Sequence, residues 1–352
     1  MTQPPLPFPP DRPPATVLVV RLGALGDIVR TLPAVRLLRR SWPKARICWA
    51  VEEGGLPLLE DHPDVDRTIL LPRRALAGGS PGSRGRLRHL AGFLKSLRFE
   101  RPELSLDFQG SLKSGLVSRL SGAPVRVGFS PGLVRERSHL FSNVHVPLDP
   151  PRIHRVERAA ALSRACGATT GELEIDLGLR EAELEAGRAR ARELVGDAAP
   201  VFVAPFSSSR QSWKRFPADR WCRIVQGLQD DGWRAVIVHG PGREEADAAD
   251  LARRGGGVPC GPASIRELAA LIAAGRLMVA GDTGPMHMAW AAGLPVVAIY
   301  GPTDPVLNAP FGPGHAIVAP PSPADRDAED RYPGIGPERV LDAARSLLGD
   351  RT

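Results

Sequence analysis

Short apolar runs alternate with amphipathic segments along almost the whole chain, and this alternation restricts the fold more than any other feature of the sequence. TVLVVRL (16–22) suits a strand buried on both faces. In the segment that follows, TLPAVRLLRRSWP, Leu32, Val35, Leu38 and Trp42 fall on one side of a helix and the arginines on the other. Thr31 is expected to cap that helix, with Pro33 in its first turn. ARICWAVEE, DRTILLP, LSLDFQ and PVRVGF read as further strands, and RLRHLAGFLKSLRFERP and LKSGLVSRLSGA as the helices between them. Strands joined through helices by short connections make a parallel sheet covered on both faces.

The composition shifts over 154–179, a helix and then a polar stretch that reads as a crossover. EAELEAGRARARELVG follows as a surface helix. The alternation then restarts with PVFVAPF, RAVIVHGP, LMVAGD and PVVAIYGP as strands and intervening helices, and PERVLDAARSLLG closes the chain. The chain has 352 residues, a length for two domains of roughly 150 each. Two βα halves joined near 150–195 are expected, with ligands beyond the carboxyl ends of the strands in a cleft between them.

Composition narrows the function classes. Lys and Arg total 46 against 39 Asp and Glu, a formal charge of +7. So modest an excess fits an anionic ligand or an anionic membrane surface better than a nucleic-acid coat. The four cysteines, Cys48, Cys166, Cys222 and Cys260, lie far apart without CxxC spacing and read as reduced, buried residues. The start, MTQPPLPFPPDRPPA, lacks the apolar core of a signal peptide and reads as a flexible Pro-rich arm. No apolar run reaches the roughly 18 residues that a spanning helix needs.

Five motifs hold candidate chemistry. In LGALGDIV, Gly23 and Gly26 permit a tight turn, and Asp27 is either a helix cap or a general base. In GDTGPMHMAWAAGLPVVAIYGPTDP, the DTG turn aims helix-start amides at an anion such as a diphosphate. Asp282 there suits sugar hydroxyls, and Thr283 adds a hydroxyl. His287 is either a phosphate contact or a satisfied helix histidine, while Met286, Met288 and Trp290 read as core. In FSSSRQSWKRFP, Lys214 can meet a diphosphate as a point charge and Ser207, Ser208 and Ser209 offer hydroxyls; the alternative is a solvated loop. In HGPGREEADA, Glu244 can take the two hydroxyls of a ribose or simply favour a helix start. The stretch 73–98 carries seven Lys and Arg and no acid, either a patch for acidic lipid or phosphorylated groups or a solvated face.

Together LGALGDIVRTLPAV, WAVEEG, DFQGSLKSGLVSRL, HRVER, WKRFP and DTGPMHMAWAAGLPVVAIYGPTDP resemble the lipopolysaccharide heptosyltransferases of glycosyltransferase family 9, most of all its heptosyltransferase I branch. The resemblance implies an α/β GT-B fold, two Rossmann-like domains with parallel sheets facing a central cleft. It implies an acceptor-binding domain over 16–175 after the arm of 1–15, a nucleotide-sugar-binding domain over 176–335, and a C-terminal helix over 336–352. The implied reaction is an inverting transfer of heptose from ADP-L-glycero-D-manno-heptose to Kdo of the lipopolysaccharide inner core, with no metal and no other cofactor.

By the same resemblance Asp27 is the catalytic base, Glu244 meets the ribose, Asp282 the heptose, and His287 the phosphate region. Lys214 and the Thr283–Gly284 turn stabilise the leaving ADP. Arg73, Arg74, Lys113 and Arg135 face the acidic acceptor, Kdo-lipid A. The expected partners also include an anionic membrane surface and exclude nucleic acid. The expected location is cytoplasmic, peripheral on the inner face of the membrane. The segment 77–85 lengthens the acceptor side. The alternatives are a family 9 transferase with another nucleotide sugar or glycan acceptor, and a non-catalytic binder of anionic glycolipid.

Overall fold

The computed structural model describes residues 8, 12–76, 83–168, 171–207, 209–325 and 327–349. Most of the Pro-rich arm, most of the 77–85 segment and Ser208 lie outside the described residues. The chain divides into two compact units, Met1–Gly178 and Leu179–Thr352.

The first unit is a six-stranded, all-parallel sheet of β1 (Thr16–Val20), β2 (Arg46–Glu52), β3 (Arg67–Leu71), β4 (Leu104–Asp107), β5 (Val125–Phe129) and β6 (Val144–Val146). Their order is β3-β2-β1-β4-β5-β6, with Val19 beside Trp49 on one flank and Leu106 on the other. The helices are α1 (Leu25–Ser41), α2 (Leu56–Leu59), α3 (Arg73–Leu76), α4 (Ser83–Phe99), α5 (Leu112–Leu120) and α6 (Arg155–Arg164). Alternate residues of β1 point to opposite faces, and both sets are buried. Leu18 and Val20 share one cluster with Phe93 and Leu97 of α4 and Val117 of α5. Helix α1 packs against α6, and Ser163 Oγ donates to the Ala34 carbonyl at 2.9 Å across that seam.

The first helix departs from the sequence expectation. It begins at Leu25, so Thr31 and Pro33 lie inside it and Thr31 caps nothing. Its N-cap is Ala24, which makes Asp27 the third helical residue, where a carboxylate is favoured by the helix dipole. Thr31 Oγ1 instead donates to the Asp27 carbonyl at 2.8 Å. Pro33 has no N–H to donate, a local cost that burial of the surrounding apolar residues offsets.

The second unit repeats the plan with β7 (Val201–Ala204), β8 (Ala235–Ile237), β9 (Val258–Pro259), β10 (Leu277–Gly281), β11 (Val296–Ile299) and β12 (Ala316–Val318), all parallel, in the order β12-β11-β10-β7-β8-β9. Numbered within its own unit, this is the same winding as the first. Its helices are α7 (Glu181–Val195), α8 (Ala218–Asp230), α9 (Arg243–Gly255), α10 (Ile265–Ala273), α11 (Gly284–Ala291), α12 (Pro305–Asn308) and α13 (Pro337–Leu348). The surface helix expected at 181–195 is α7, in which only Gly187 and Ala191 are buried, and it packs on α10 along that face. A Cβ at Gly187 would stand 2.2 Å from the Ala270 carbonyl oxygen, so only glycine permits that approach. Val340, Leu341 and Ala344 of α13 join Trp221 and Val225 of α8 in one buried cluster. The four cysteines are free and buried. Among the described residues no helix is long and apolar enough to cross a membrane.

Candidate active site

In each sheet the winding reverses between the unit's first and fourth strands, β1 and β4 in one and β7 and β10 in the other. At such a switch point the two outgoing loops diverge and leave a crevice at the strands' carboxyl ends, where ligands of open parallel sheets bind. Both crevices are lined by charged residues.

In the first unit, β1 runs through Arg21 and Leu22 into α1, which carries Asp27. Asp27 Oδ2 pairs with Arg21 Nη2 at 2.7 Å and Oδ1 with Arg30 Nη2 at 2.5 Å. Its side chain is 24% exposed, against 9% for each arginine, so the carboxylate is reachable while its cations are not. Burial pushes the carboxyl up, but the charges of Arg21, Arg30 and Arg155 outweigh it and hold Asp27 well below the usual carboxylate range. Arg155 itself is shifted down, by burial first and by its cationic neighbours Arg30, Arg21 and Arg135 against the pull of Asp27. Burial and Arg155, Arg21 and Arg135 push Arg158 down to about 10. Arg158 also stacks 4.2 Å over Phe129.

The opposite wall of this crevice is built from the exit of β4. Buried Asp107 accepts from the amides of Gln109 and Gly110, both at 3.0 Å, and so fixes the turn. Burial moves the Asp107 carboxyl up against those bonds. Gln109 Oε1 accepts from the Leu22 amide at 2.9 Å, and Arg21 Nη1 donates to the Phe108 carbonyl at 2.8 Å. Arg21 is therefore anchored from both strands before it reaches Asp27.

The expected acceptor cations are divided. Arg73 and Lys113 converge on Glu52, the last residue of β2, at 3.2 and 2.6 Å. The Arg74 amide donates to Glu53 Oε1 at 2.9 Å while the Arg74 side chain is exposed. Arg135 is exposed, its amide donates to the Gly110 carbonyl at 2.8 Å, and it lies in the electrostatic reach of Arg155 and Arg158.

In the second unit the β10 exit brings several of the expected residues together. Lys214 Nζ pairs with Asp282 Oδ2 at 2.9 Å, with side chains 15% and 8% exposed. His287 Nε2 faces Asp282 Oδ1 at 3.4 Å. The Trp290 indole donates to His287 Nδ1 at 3.1 Å. An indole N–H can only donate, so Nδ1 carries no proton and the imidazole hydrogen sits on Nε2, toward Asp282. His287 is thus buried with Asp282 and Trp290 as neighbours. Thr283 is the N-cap of α11, and its Oγ1 is buried without a hydrogen-bond partner among the described residues. Gly284 opens the helix and bares its amide end.

The β7 exit behaves partly as scaffold. Ser207 is buried and donates through Oγ to the Gln211 carbonyl at 2.9 Å, which closes its own loop. Ser209 begins a short 3₁₀ turn that ends at Lys214. Arg215 donates to the Ser207 carbonyl at 2.9 Å and lies 3.9 Å from Glu244. Glu244 Oε2 accepts the Gly240 amide at 2.8 Å. Tyr332, whose hydroxyl burial pushes upward, donates to the Lys214 carbonyl and so holds the main chain beneath that lysine.

Sequence reasoning missed the cations around Asp27. Arg21 and Arg30 flank the aspartate in the first motif, and their signal was the unbalanced charge beside a single acid. Arg155 and Arg158 belong to HRVER, far along the chain, and only the fold brings them near.

These two crevices sit in a chain that a family model, described as Glycosyltransferase family 9 (heptosyltransferase), matches over residues 90–334. The chain belongs to that family and is a glycosyltransferase. It is 28% identical to lipopolysaccharide heptosyltransferase 1 of Escherichia coli K12 over 309 residues, 87% of this chain and 93% of the relative. Among solved structures it resembles the E. coli heptosyltransferase WaaC with ADP, at a TM-score of 0.76 and 24% identity, covering 94% of this chain and 99% of that one. A family 9 glycosyltransferase from Veillonella parvula superposes equally well, at a TM-score of 0.76, with 19% identity over 95% of this chain and 97% of that one.

Proposed function

We propose that the protein transfers heptose from ADP-L-glycero-D-manno-heptose to Kdo of the lipopolysaccharide inner core, with inversion and without a metal ion. The observation that carries this reading is the ionised Asp27 at the switch point of the first sheet, held among arginines, in a chain of the heptosyltransferase family. The acceptor hydroxyl oxygen attacks the anomeric carbon, the bond from that carbon to the ADP oxygen breaks, and the hydroxyl proton passes to Asp27. General-base help of this kind is worth about 10²–10⁴ in rate.

The second unit holds the donor. Lys214 and the Thr283–Gly284 turn meet the diphosphate as charge develops on ADP. The unpartnered Thr283 hydroxyl supports this role. Asp282 binds the heptose and Glu244 the ribose. Ser207 closes its own loop beside the donor. The contacts of His287 with Asp282 and Trp290 favour a positioning role, in which it orients Asp282 beside the phosphate region. Arg73, Arg74, Lys113 and Arg135 bind the acceptor's anionic groups at the cytoplasmic face of an anionic membrane.

A carboxylate surrounded by cations is ionised but a weak proton acceptor. The acceptor corrects this when it binds. It covers the exposed face of the carboxylate and excludes water from it, and this further burial raises the proton affinity of the base. Mass-spectrometric detection of ADP release from ADP-heptose, with truncated lipopolysaccharides as acceptors, tests the reading. Transfer to Kdo-terminated acceptor is expected, along with a drop of about 10²–10⁴ in kcat for Asp27→Asn. Transfer from UDP- or GDP-sugars in place of ADP-heptose overturns the donor assignment, and full activity of Asp27→Asn overturns the base.

A further inference from the structure

Helix α4 is longer than the sheet it covers. Its 17 residues extend about 25 Å, whereas the five residues of β3 extend about 17 Å. The chain leaves the carboxyl end of β3, passes through α4 and enters the parallel strand β4, so α4 runs against the strands. Its N-terminal half therefore lies toward the carboxyl ends of the sheet, the side that bears Asp27. Burial follows the same geometry. Phe93 and Leu97 are in the core and Leu94 packs against it, while Arg84 and every residue from Arg86 to Gly92 are exposed.

That exposed half has a two-part surface. At 100° per residue, Arg84, Arg88 and Lys95 fall within an arc of about 40° on the solvent side. None of the three has a carboxylate partner among the described residues, whereas Arg73 is held by Glu52 and Arg67 by Glu100. Beside them runs an apolar stripe of Leu87, Leu90 and Leu94 that leaves the core and continues into solvent, with Leu87 65% and Leu90 37% exposed. A groove between α4 and edge strand β3 is lined by Arg67, Arg88, His89 and Ser96. Cations flanking bare leucines on a helix without an acid match a lipid surface with anionic headgroups, because the charges meet phosphate while the leucines enter the acyl boundary.

We propose that the N-terminal half of α4, with its groove against β3, is the surface by which this protein docks on an anionic bilayer. The proposal deepens the reading of a lipid-linked acceptor and names the surface that brings the enzyme to it. Its test needs no turnover, so it can fail separately from that reading.

The test is sedimentation of the full-length chain with vesicles of phosphatidylcholine alone and with about 30 mol % phosphatidylglycerol, at low and high salt. Binding is expected only to the anionic vesicles, weakening as salt rises. The double change Arg84→Gln/Arg88→Gln is expected to lower the partition coefficient on the order of 30-fold. Leu87→Ser/Leu90→Ser is expected to lower it at any salt, and Asp27→Asn to leave it unchanged. All variants are checked by circular dichroism. Equal binding to both vesicle types, no binding by the wild type, or wild-type binding by both α4 variants overturns the proposal. So does full competition by millimolar inorganic phosphate or by a short DNA duplex at equal charge, which would make the surface a general polyanion site.

Discussion

Replacing Arg30 with methionine tests how the proposed base is held. Methionine keeps much of the buried stem volume and removes one of the two cations that grip Asp27, the one at 2.5 Å. Arg21 stays in place, because the Phe108 carbonyl anchors it independently. A hydrogen bond to a charged group is worth about 1.5–3 kcal/mol. One pKa unit corresponds to about 1.36 kcal/mol, so Arg30→Met should raise the Asp27 carboxyl by roughly one to two units. The acid limb of kcat/KM against pH, measured by ADP release, should move to higher pH by the same interval. Stability supplies a second readout. In the wild type the carboxyl of folded Asp27 is depressed, so its contribution is fully present above the unfolded value near 3.9 and is lost as pH falls through the lower folded value. The pH-dependent part of the stability gap between wild type and Arg30→Met should therefore be about 1.5–3 kcal/mol at pH 7 and narrow below about pH 4 in urea unfolding. An unmoved acid limb together with a pH-independent gap would show that Arg30 does not hold the carboxylate.

In the second unit, Lys214→Met removes the cation paired at 2.9 Å with nearly buried Asp282 and should cost about 3–5 kcal/mol in urea unfolding. Lys214→Met/Asp282→Asn should recover most of that loss, and strict additivity of the two changes would refute the pairing. Trp290→Phe removes the donor that fixes the His287 tautomer. Donor KM should rise while the acceptor KM stays level; equal changes in both would discard the relay to Asp282. Gly187→Ala gains about 1 kcal/mol of helix propensity but drives a Cβ into the Ala270 carbonyl at 2.2 Å, a clash at the upper end of the roughly 1–3 kcal/mol overpacking range, so melting should show a net loss of about 2 kcal/mol. An unchanged or higher melting temperature would show that α7 can move off α10 freely.

The buried strands were legible because strands covered on both faces read as unbroken apolar runs. TVLVV and VFVA leave little else to be. The edges were not. Strands β6, β9 and β12 have three, two and three residues, too few to show a period, and they pair only because a neighbour offers a free edge. The start of α1 was misplaced because two glycines before an aspartate look like a loop, whereas the helix begins within them. Asp27, Asp282 and Thr283 stood out as motifs at strand exits. Their settings did not, since Arg155 near Asp27 is a contact across more than a hundred residues of chain. His287 and Trp290 are three residues apart on one helix, a spacing that places both side chains on the same face, yet the direction of their hydrogen bond depends on the fold.

The last helix has a practical implication. By seating Val340, Leu341 and Ala344 among α8 residues of its own half, α13 closes the hydrophobic layer of residues 179–349 from within. That stretch carries a hydrophobic cluster of its own, which makes it the natural piece to excise and purify by itself.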